Sequence, residues 1–344
     1  MSPFKRFWLK LVQWEYWPFY IFYIPVEAYY LWLALKNGRF AFLTSANPSM
    51  EFGGFTGVSK TSIYELIPSE YLPKMKLIAP GDWEAARKAV EWIGYPVVAK
   101  PDMGERGKLV EKISNELELE KYVINCPVDF ILQEVIRQPL ELGIFYLRHP
   151  EEECGHITSI VQKDFMSVTG DGAHTVQELL QKDERALLQI DFEHPRFEEV
   201  MKEVPEKGEK KVVESVGNHC RGTVFLDRCD LIDEELTEAI DQLSKRIEGF
   251  YYGRFDLRCA SAEALKRLED FKIIELNGAG AEPAHIYQPG YSLIKAYRVV
   301  FWHFKQLARI SQANHRRGVP QWGFRRAVAK LFEVRRYNKM LSKG

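Results

Sequence analysis

Lys100 closes the apolar run YPVVAK, and a glycine turn, PDMGERG, follows it at once. A lysine at the end of a strand, next to glycines that can turn successive backbone N–H groups outward, is a cradle for phosphate. Far downstream stand Asp256 in GRFDLR, then Glu275 and Asn277 in IIELNG. Side chains on a strand repeat every two residues, so Glu275 and Asn277 share a face. Magnesium takes hard oxygen ligands of this kind and completes its shell with phosphate oxygens. Together the two halves describe a site for ATP and Mg2+, and the chain reads as an enzyme.

Further residues join these by position. Lys60 opens a helical segment, SKTSIYELI, with Ser59 as its cap. In the loop Met103–Gly107, Gly104, Arg106 and Gly107 can wrap phosphate. Arg254 lies two residues before Asp256 and shares its face. Bidentate binding of a carboxylate suits it. Lys163 follows SIVQ, and Asn218 and Arg221 lie in GNHCRGT. No Ser-His-Asp or Cys-His arrangement calls for covalent catalysis. The five cysteines, at 126, 154, 220, 229 and 259, form no CxxC pair. Neither a disulfide scaffold nor a zinc site is expected, and the interior reads as reducing.

Between about 60 and 283 helices and strands alternate. DWEAARKAVEWIG and ELELEKYVIN are helices around the strand YPVVAK, and FILQEVI is a strand. ELGIFYLRH and HITSIVQKDFMSV follow as strands, closed by the turn TGDG. Thr175 and Glu178 form a capping box for TVQELLQ. IDEELTEAIDQLSKRIEGF is the clearest long helix, SAEALKRLED a surface connection, and FKIIELN a buried strand. Residues 184–217 are polar, hard to place, and suggest an insertion over the substrate.

This ordered set resembles the ATP-grasp superfamily, particularly ligases like D-alanine–D-alanine ligase and cyanophycin synthetase. The resemblance rests on SKTSIYELI, YPVVAKPDMGERG, ILQEVIRQPLE, VTGDGAHTVQELL, GRFDLR and IIELNG. It implies an α+β ATP-grasp fold whose two lobes enclose the nucleotide. Lys60 and Lys100 would touch the phosphates, as would Gly104, Arg106 and Gly107. Glu134, Val135 and Ile136 would form the hinge that receives adenine, and Glu141 would bind the ribose. Asn218 would lie near the substrate. Asp256, Glu275 and Asn277 would hold the metal. Arg254, Lys163 and Arg221 would serve the chemistry, Arg254 at the oxyanion. Only about 60 residues precede Lys60. That is too few for the α/β domain with which D-alanine–D-alanine ligase begins, so its amino-acid substrate is not carried over.

Charge divides the chain. Residues 295–344 carry 13 Lys or Arg and one acid, residues 1–40 five bases and two acids, and the rest 29 bases against 45 acids. Residues 1–35 hold 13 aromatic side chains. Pro18 and Pro25 interrupt this segment, so it reads as a broken helix lying in one leaflet rather than crossing it. A protein-packed hairpin is the alternative. The amphipathic stretches 291–310 and 321–341 set bases beside apolar faces, which suits anionic lipid. No nucleic-acid module accompanies them, and no cleaved signal peptide is expected.

The expected domains are an aromatic segment (1–40), a short α/β region (41–95), a small lobe (96–150), a large lobe (151–290) with an insertion near 184–217, and a basic helical tail (291–344). The expected function is an ATP-dependent carboxylate–amine ligase acting through an acyl phosphate. Its substrates would be small molecules or lipid-linked, met at the cytoplasmic face of a membrane by a peripheral enzyme, with a homodimer allowed. The alternatives are a small-molecule or lipid kinase on the same scaffold, and a non-catalytic nucleotide-binding scaffold.

Overall fold

The computed structural model describes residues 8–9, 11–104, 107–190, 192, 194, 197–214 and 222–342. Helix α1 (Phe19–Asn37) begins after Pro18, whose extended backbone stands at the N-cap, and ends at Gly38 in the left-handed region (φ 67). The expected break therefore occurs at Pro18 but not at Pro25, which lies inside the helix. Proline there removes one helical hydrogen bond. Burial of Phe22, Val26, Leu33 and Ala34 on one side holds the helix together across it.

The first sheet begins after α2 (Lys60–Tyr64), which Ser59 caps through Oγ and the Ser62 N–H at 3.1 Å. Its parts in chain order are β1 (Met75–Ile78), α3 (Trp83–Ile93), β2 (Val97–Pro101), β3 (Glu111–Ile113), α4 (Glu116–Asn125) and β4 (Phe130–Glu134). The strands pair antiparallel in the order β1-β4-β2-β3. Asp82 and Asn115 cap α3 and α4. Both helices press one face of the sheet, where Ala86, Val90, Leu119 and Val123 meet Val97, Ala99, Phe130 and Leu132. Alternation turns Val98, Lys100, Ile131 and Gln133 to the other face.

The second sheet uses β5 (Leu140–Leu147), β6 (His156–Asp164), β9 (Val224–Asp227), β10 (Tyr252–Cys259) and β11 (Phe271–Asn277), antiparallel in the order β11-β10-β5-β6-β9. Between β6 and β9, β7 (Ser167–Thr169) pairs with β8 (Lys210–Val212). Helix α5 (Glu234–Lys245) covers one face, packing Leu236, Ile240 and Leu243 on Leu142, Ile144, Ile160, Phe255, Leu257 and Ile273. The chain passes from the first sheet to the second between Glu134 and Leu140, earlier than the expected boundary at 150, and β1 already belongs to the first sheet. SAEALKRLED contains a short helix, Ala262–Lys266, capped by Ser261. The stretch 184–214, hard to place by pattern, contains the short helices Glu184–Gln189 and Glu198–Lys202 and then β8. With β7 and the short helix Val176–Leu180 these form a small separate core around Val168, Val176, Leu180 and Met201.

Two helices finish the chain, α6 (Leu293–Arg316) and α7 (Phe324–Met340). The His303 ring of α6 meets Phe145 edge-on at 4.4 Å, and α6 also carries α1. Helix α7 begins against residues 41–52, where Ala327 packs with Ala41 and Phe52 and Lys330 reaches Glu51 at 2.9 Å. It ends with Tyr337 and Leu341 set in the core of the first sheet.

Residues 41–55 bind the second sheet through Asn47, which is fully buried. Its Nδ2 donates to the Gly53 and Tyr252 carbonyls at 3.0 and 2.9 Å, and its Oδ1 accepts from the Tyr251 and Tyr252 N–H groups at 2.9 and 3.0 Å. An alanine there removes four hydrogen bonds, although the Gly53 carbonyl keeps the Ala279 N–H. At about 1 kcal/mol for each of the other three, Asn47→Ala should lower the unfolding free energy by roughly 3 kcal/mol in urea titrations.

Candidate active site

Lys100 is 6% exposed. Its Nζ donates to the Tyr64 hydroxyl at 2.8 Å and to the Ile274 carbonyl at 3.3 Å. One lysine of the first sheet thus touches the strand of the second sheet that carries Glu275. Burial, then the charge of Lys60, push its pKa down to about 7, against the pull of Glu275 and Asp102. Lys60 Nζ donates to the Gly104 carbonyl at 2.9 Å and lies 3.3 and 3.4 Å from the carbonyls of Pro101 and Asp102. Thr61 donates from N and Oγ1 to Asp102 Oδ1 at 2.9 and 2.8 Å. The start of α2 is therefore fastened to the glycine turn, where Gly104 and Gly107 have φ values of 149 and 69. Arg106 lies outside the described residues.

Opposite these lysines, the face of the second sheet turned away from α5 is a charged ladder. Cross-strand register sets Asp256 beside Glu275 and Arg254 beside Asn277 on β10 and β11. It sets Gly143 of β5 beside Asp256. A side chain at Gly143 would meet Val161 Cγ1 at 2.8 Å and Asp256 Oδ1 at 3.1 Å, so the glycine leaves room for the ladder. Arg254 holds Asp256 with two bonds, Nε to Oδ1 at 2.8 Å and Nη2 to Oδ2 at 3.1 Å. Lys163 Nζ lies 3.3 Å from Asp256 Oδ2 and 3.2 Å from Glu141 Oε1. Burial alone would raise the Asp256 carboxyl, but Arg254 and Lys163 outweigh it and hold the group ionised.

The structure brings Lys60, Gly104, Glu275 and Asn277 around one cleft, with Lys100 bonded to Tyr64 beside it and Asp256 next to Glu275 on the neighbouring strand. A cleft of about 70 Å³ is lined by Gly54, Gly57, Lys60, Tyr64, Gly104, Glu275 and Asn277. Glu141, expected at the ribose, is buried and committed to Lys163 and to Arg258, whose Nε is 3.4 Å from Oε2. In the hinge, Glu134 Oε1 accepts from the Lys74 N–H at 2.8 Å, and the Ile136 carbonyl accepts from Arg258 Nη1 at 2.7 Å. Val135 lies between them. Asn218 and Arg221 lie outside the described residues.

Four residues were not singled out by pattern. Tyr64 and Asp102 link lysine, helix and loop. Tyr64 follows Lys60 by four residues on one helix face, a spacing visible in sequence. Gln133 is 3% exposed, its Oε1 has no partner, and it stands on the strand face that carries Ile131, opposite Lys100. Glu282 accepts from Arg254 Nη1 through its carbonyl at 2.8 Å. Its Oε1 is buried without a partner, and burial pushes its carboxyl up to about 7, against the hydrogen bond from Tyr287.

Among the described residues, no group of three or more His, Cys, Asp or Glu side chains is spaced to hold a metal ion. The expected trio contains only two carboxylates, with an amide as its third member. Asp256 shares its oxygens with two cations, whereas Asn277 Nδ2 is buried without a partner. Such a set suits a cation that takes much of its shell from phosphate, as magnesium does, and fits poorly a metal held by protein alone.

No family model and no curated protein matches the sequence. Solved structures overlap it in part. A bifunctional glutathione synthetase from Pasteurella multocida is 16% identical with a TM-score of 0.37, over 70% of this chain and 35% of that one. D-alanine–D-alanine ligase from Bacillus anthracis is 12% identical with a TM-score of 0.41, over 75% and 67%. The ATP-grasp ligase PsnB, solved with minimal precursor, Mg and ADP, is 13% identical with a TM-score of 0.38, over 74% and 58%. The match spans about a third of the glutathione synthetase. Overlaps this low leave the function to be read from the side chains.

Lys100 yields a test of the buried amine. Its folded pKa lies near 7 and its ordinary value is 10.5. Between the two the unfolded chain binds the extra proton, so the burden of this lysine on stability lifts as pH rises. The unfolding free energy of the wild type relative to Lys100→Met should climb between pH 7 and pH 9.5, with a slope of up to about 1.4 kcal/mol per pH unit. A pH-independent difference in paired urea titrations would contradict the burial.

Proposed function

We propose that this protein is an ATP-dependent ligase of ATP-grasp type, which activates a carboxylate as an acyl phosphate and joins it to an amine or a related nucleophile. One observation carries the reading. Lys100 and the glycine turn of one sheet, with Lys60 from α2, face a carboxylate–amide ladder on the other, near enough for Lys100 to hydrogen-bond beside Glu275. Cations opposite oxygen ligands are what a triphosphate with its metal requires.

Lys60 and Lys100 take the phosphates, and Lys60 exchanges loop carbonyls for phosphate oxygens as it does so. The turn at Gly104 and Gly107, with Arg106, closes over them. The segment Glu134–Ile136 receives adenine, and Gln133 offers a buried amide oxygen beside it. Asp256, Glu275 and Asn277 would hold magnesium, which would supply charge neutralisation at the phosphate oxygens.

A substrate carboxylate oxygen attacks the γ-phosphorus, the bond to the β-phosphate oxygen breaks, and ADP leaves. The nucleophile's lone pair then adds to the acyl carbon. Collapse of the tetrahedral adduct expels inorganic phosphate, and the nitrogen loses a proton as the amide forms. Arg254 steadies the oxyanion with the N–H groups not spent on Asp256 and Glu282. Lys163 keeps Asp256 ionised, and Arg221 and Asn218 serve the substrate side.

The test is release of ADP and phosphate across pools of acids and amines. Both products should appear only when an acid and an amine are present together. Asp256→Asn and Glu275→Gln should each lower the rate by about 10²-fold or more. ADP formed while phosphate stays on an acceptor would establish a kinase instead. No turnover by wild type or variants would favour a nucleotide-binding scaffold.

A further inference from the structure

Helix α1 is apolar on both sides. One side, with Phe22, Val26, Leu33 and Ala34, is buried. The other repeats at Tyr20, Ile24, Leu31, Trp32 and Leu35 and faces outward, with Leu35 83% exposed. That spacing makes an apolar stripe along a helix about 28 Å long, interrupted by the exposed Glu27 between Ile24 and Leu31. Glu27 is the one carboxylate in α1. Outward apolar stripes of this length mark a surface that is covered in use.

The neighbouring surface indicates by what. Tyr297 of α6 stacks on Phe22 of α1, and Phe301 meets Tyr29 at a tilt with ring centres 4.8 Å apart. The exposed bases Lys295, Arg298, Lys305 and Arg309 run along α6 with Trp302, about 100° round from that contact line. They therefore flank α1 rather than lie behind it. Among the described residues none of these four bases has a carboxylate partner. At the end of α1, the Lys36 ammonium lies 5.3 Å from the centre of the Trp32 ring. Apolar stripe, Trp and Tyr at its edge and unpaired cations alongside match the boundary of an anionic bilayer, with acyl chains below and phosphate headgroups above. No described helix is long and apolar enough to cross a membrane.

We infer that this protein docks on anionic membrane surfaces with α1 lying in the interface, its outer stripe among the acyl chains and the α6 bases on lipid phosphates. The docking is independent of the reaction proposed above, since no residue of the stripe or of the α6 bases is part of the candidate active site.

The full chain is sedimented with phosphatidylcholine vesicles, with and without phosphatidylglycerol. It should pellet with the phosphatidylglycerol vesicles and be released by salt. Ile24→Glu with Leu35→Glu should cut the bound fraction by about tenfold or more. Lys295→Gln, Arg298→Gln and Lys305→Gln together should cut it comparably. Both sets alter exposed positions, and unchanged circular dichroism and thermal unfolding would show that they stay folded. Wild type left in the supernatant, or stripe variants that pellet as well as wild type, would overturn the inference. So would a concentration-dependent dimer in light scattering that Ile24→Glu with Leu35→Glu abolishes, which would assign the stripe to a second copy.

Discussion

A carboxylate taken out of water must be met by cations, and Asp256 is where this chain satisfies that demand. Arg254 reaches it twice along its own strand and Lys163 from two strands away. A buried ion pair contributes little net stability, but breaking one side of it is costly. The ladder therefore acts mainly on position. It keeps β10, β5 and β6 in a register that presents charge on one face, while α5 covers the apolar face. Gly143 belongs to the same constraint, because a side chain there would push the arginine and the carboxylate apart.

The readable part of the site is the part governed by local period. Glu275 and Asn277, or Arg254 and Asp256, share faces because strands repeat every two residues, and the register bears that out. Capping is local too, and Ser59, Asp82, Thr175 and Asp233 cap the helices that follow them. Contacts between distant segments were not readable. Nothing in the sequence near Glu141 says that Lys163 and Arg258 will claim its carboxylate. Nothing near Lys60 says that it will hold the Gly104 carbonyl. Pattern also misjudged Pro25, because helix continuity there depends on packing that comes from residues far along the chain. Residues 184–217 resisted reading because the three short elements in their described part fall below the length at which periodicity carries a signal.

The two ends of the chain, odd in composition, are structurally one region. α1 lies on α6, and Trp14 near its start donates through Nε1 to the Tyr291 carbonyl at 2.6 Å and meets the Tyr287 ring at a tilt, 5.7 Å between centres. Tyr287 in turn touches Glu282, whose carbonyl holds Arg254. A continuous path of contacts thus runs from the aromatic segment to the charged ladder.

Helix α7 has a mechanical consequence. Its first turns rest on residues 41–52, which Asn47 rivets to β10, and its last turn plugs the core behind β2 and β4. It is a stay of fixed length, about 25 Å, strung between the two sheets. With both ends anchored, any change in the angle between the sheets must be taken up at those anchor points, and Val334 and Tyr337 along the helix also line a small pocket with Gly57 and Gly104.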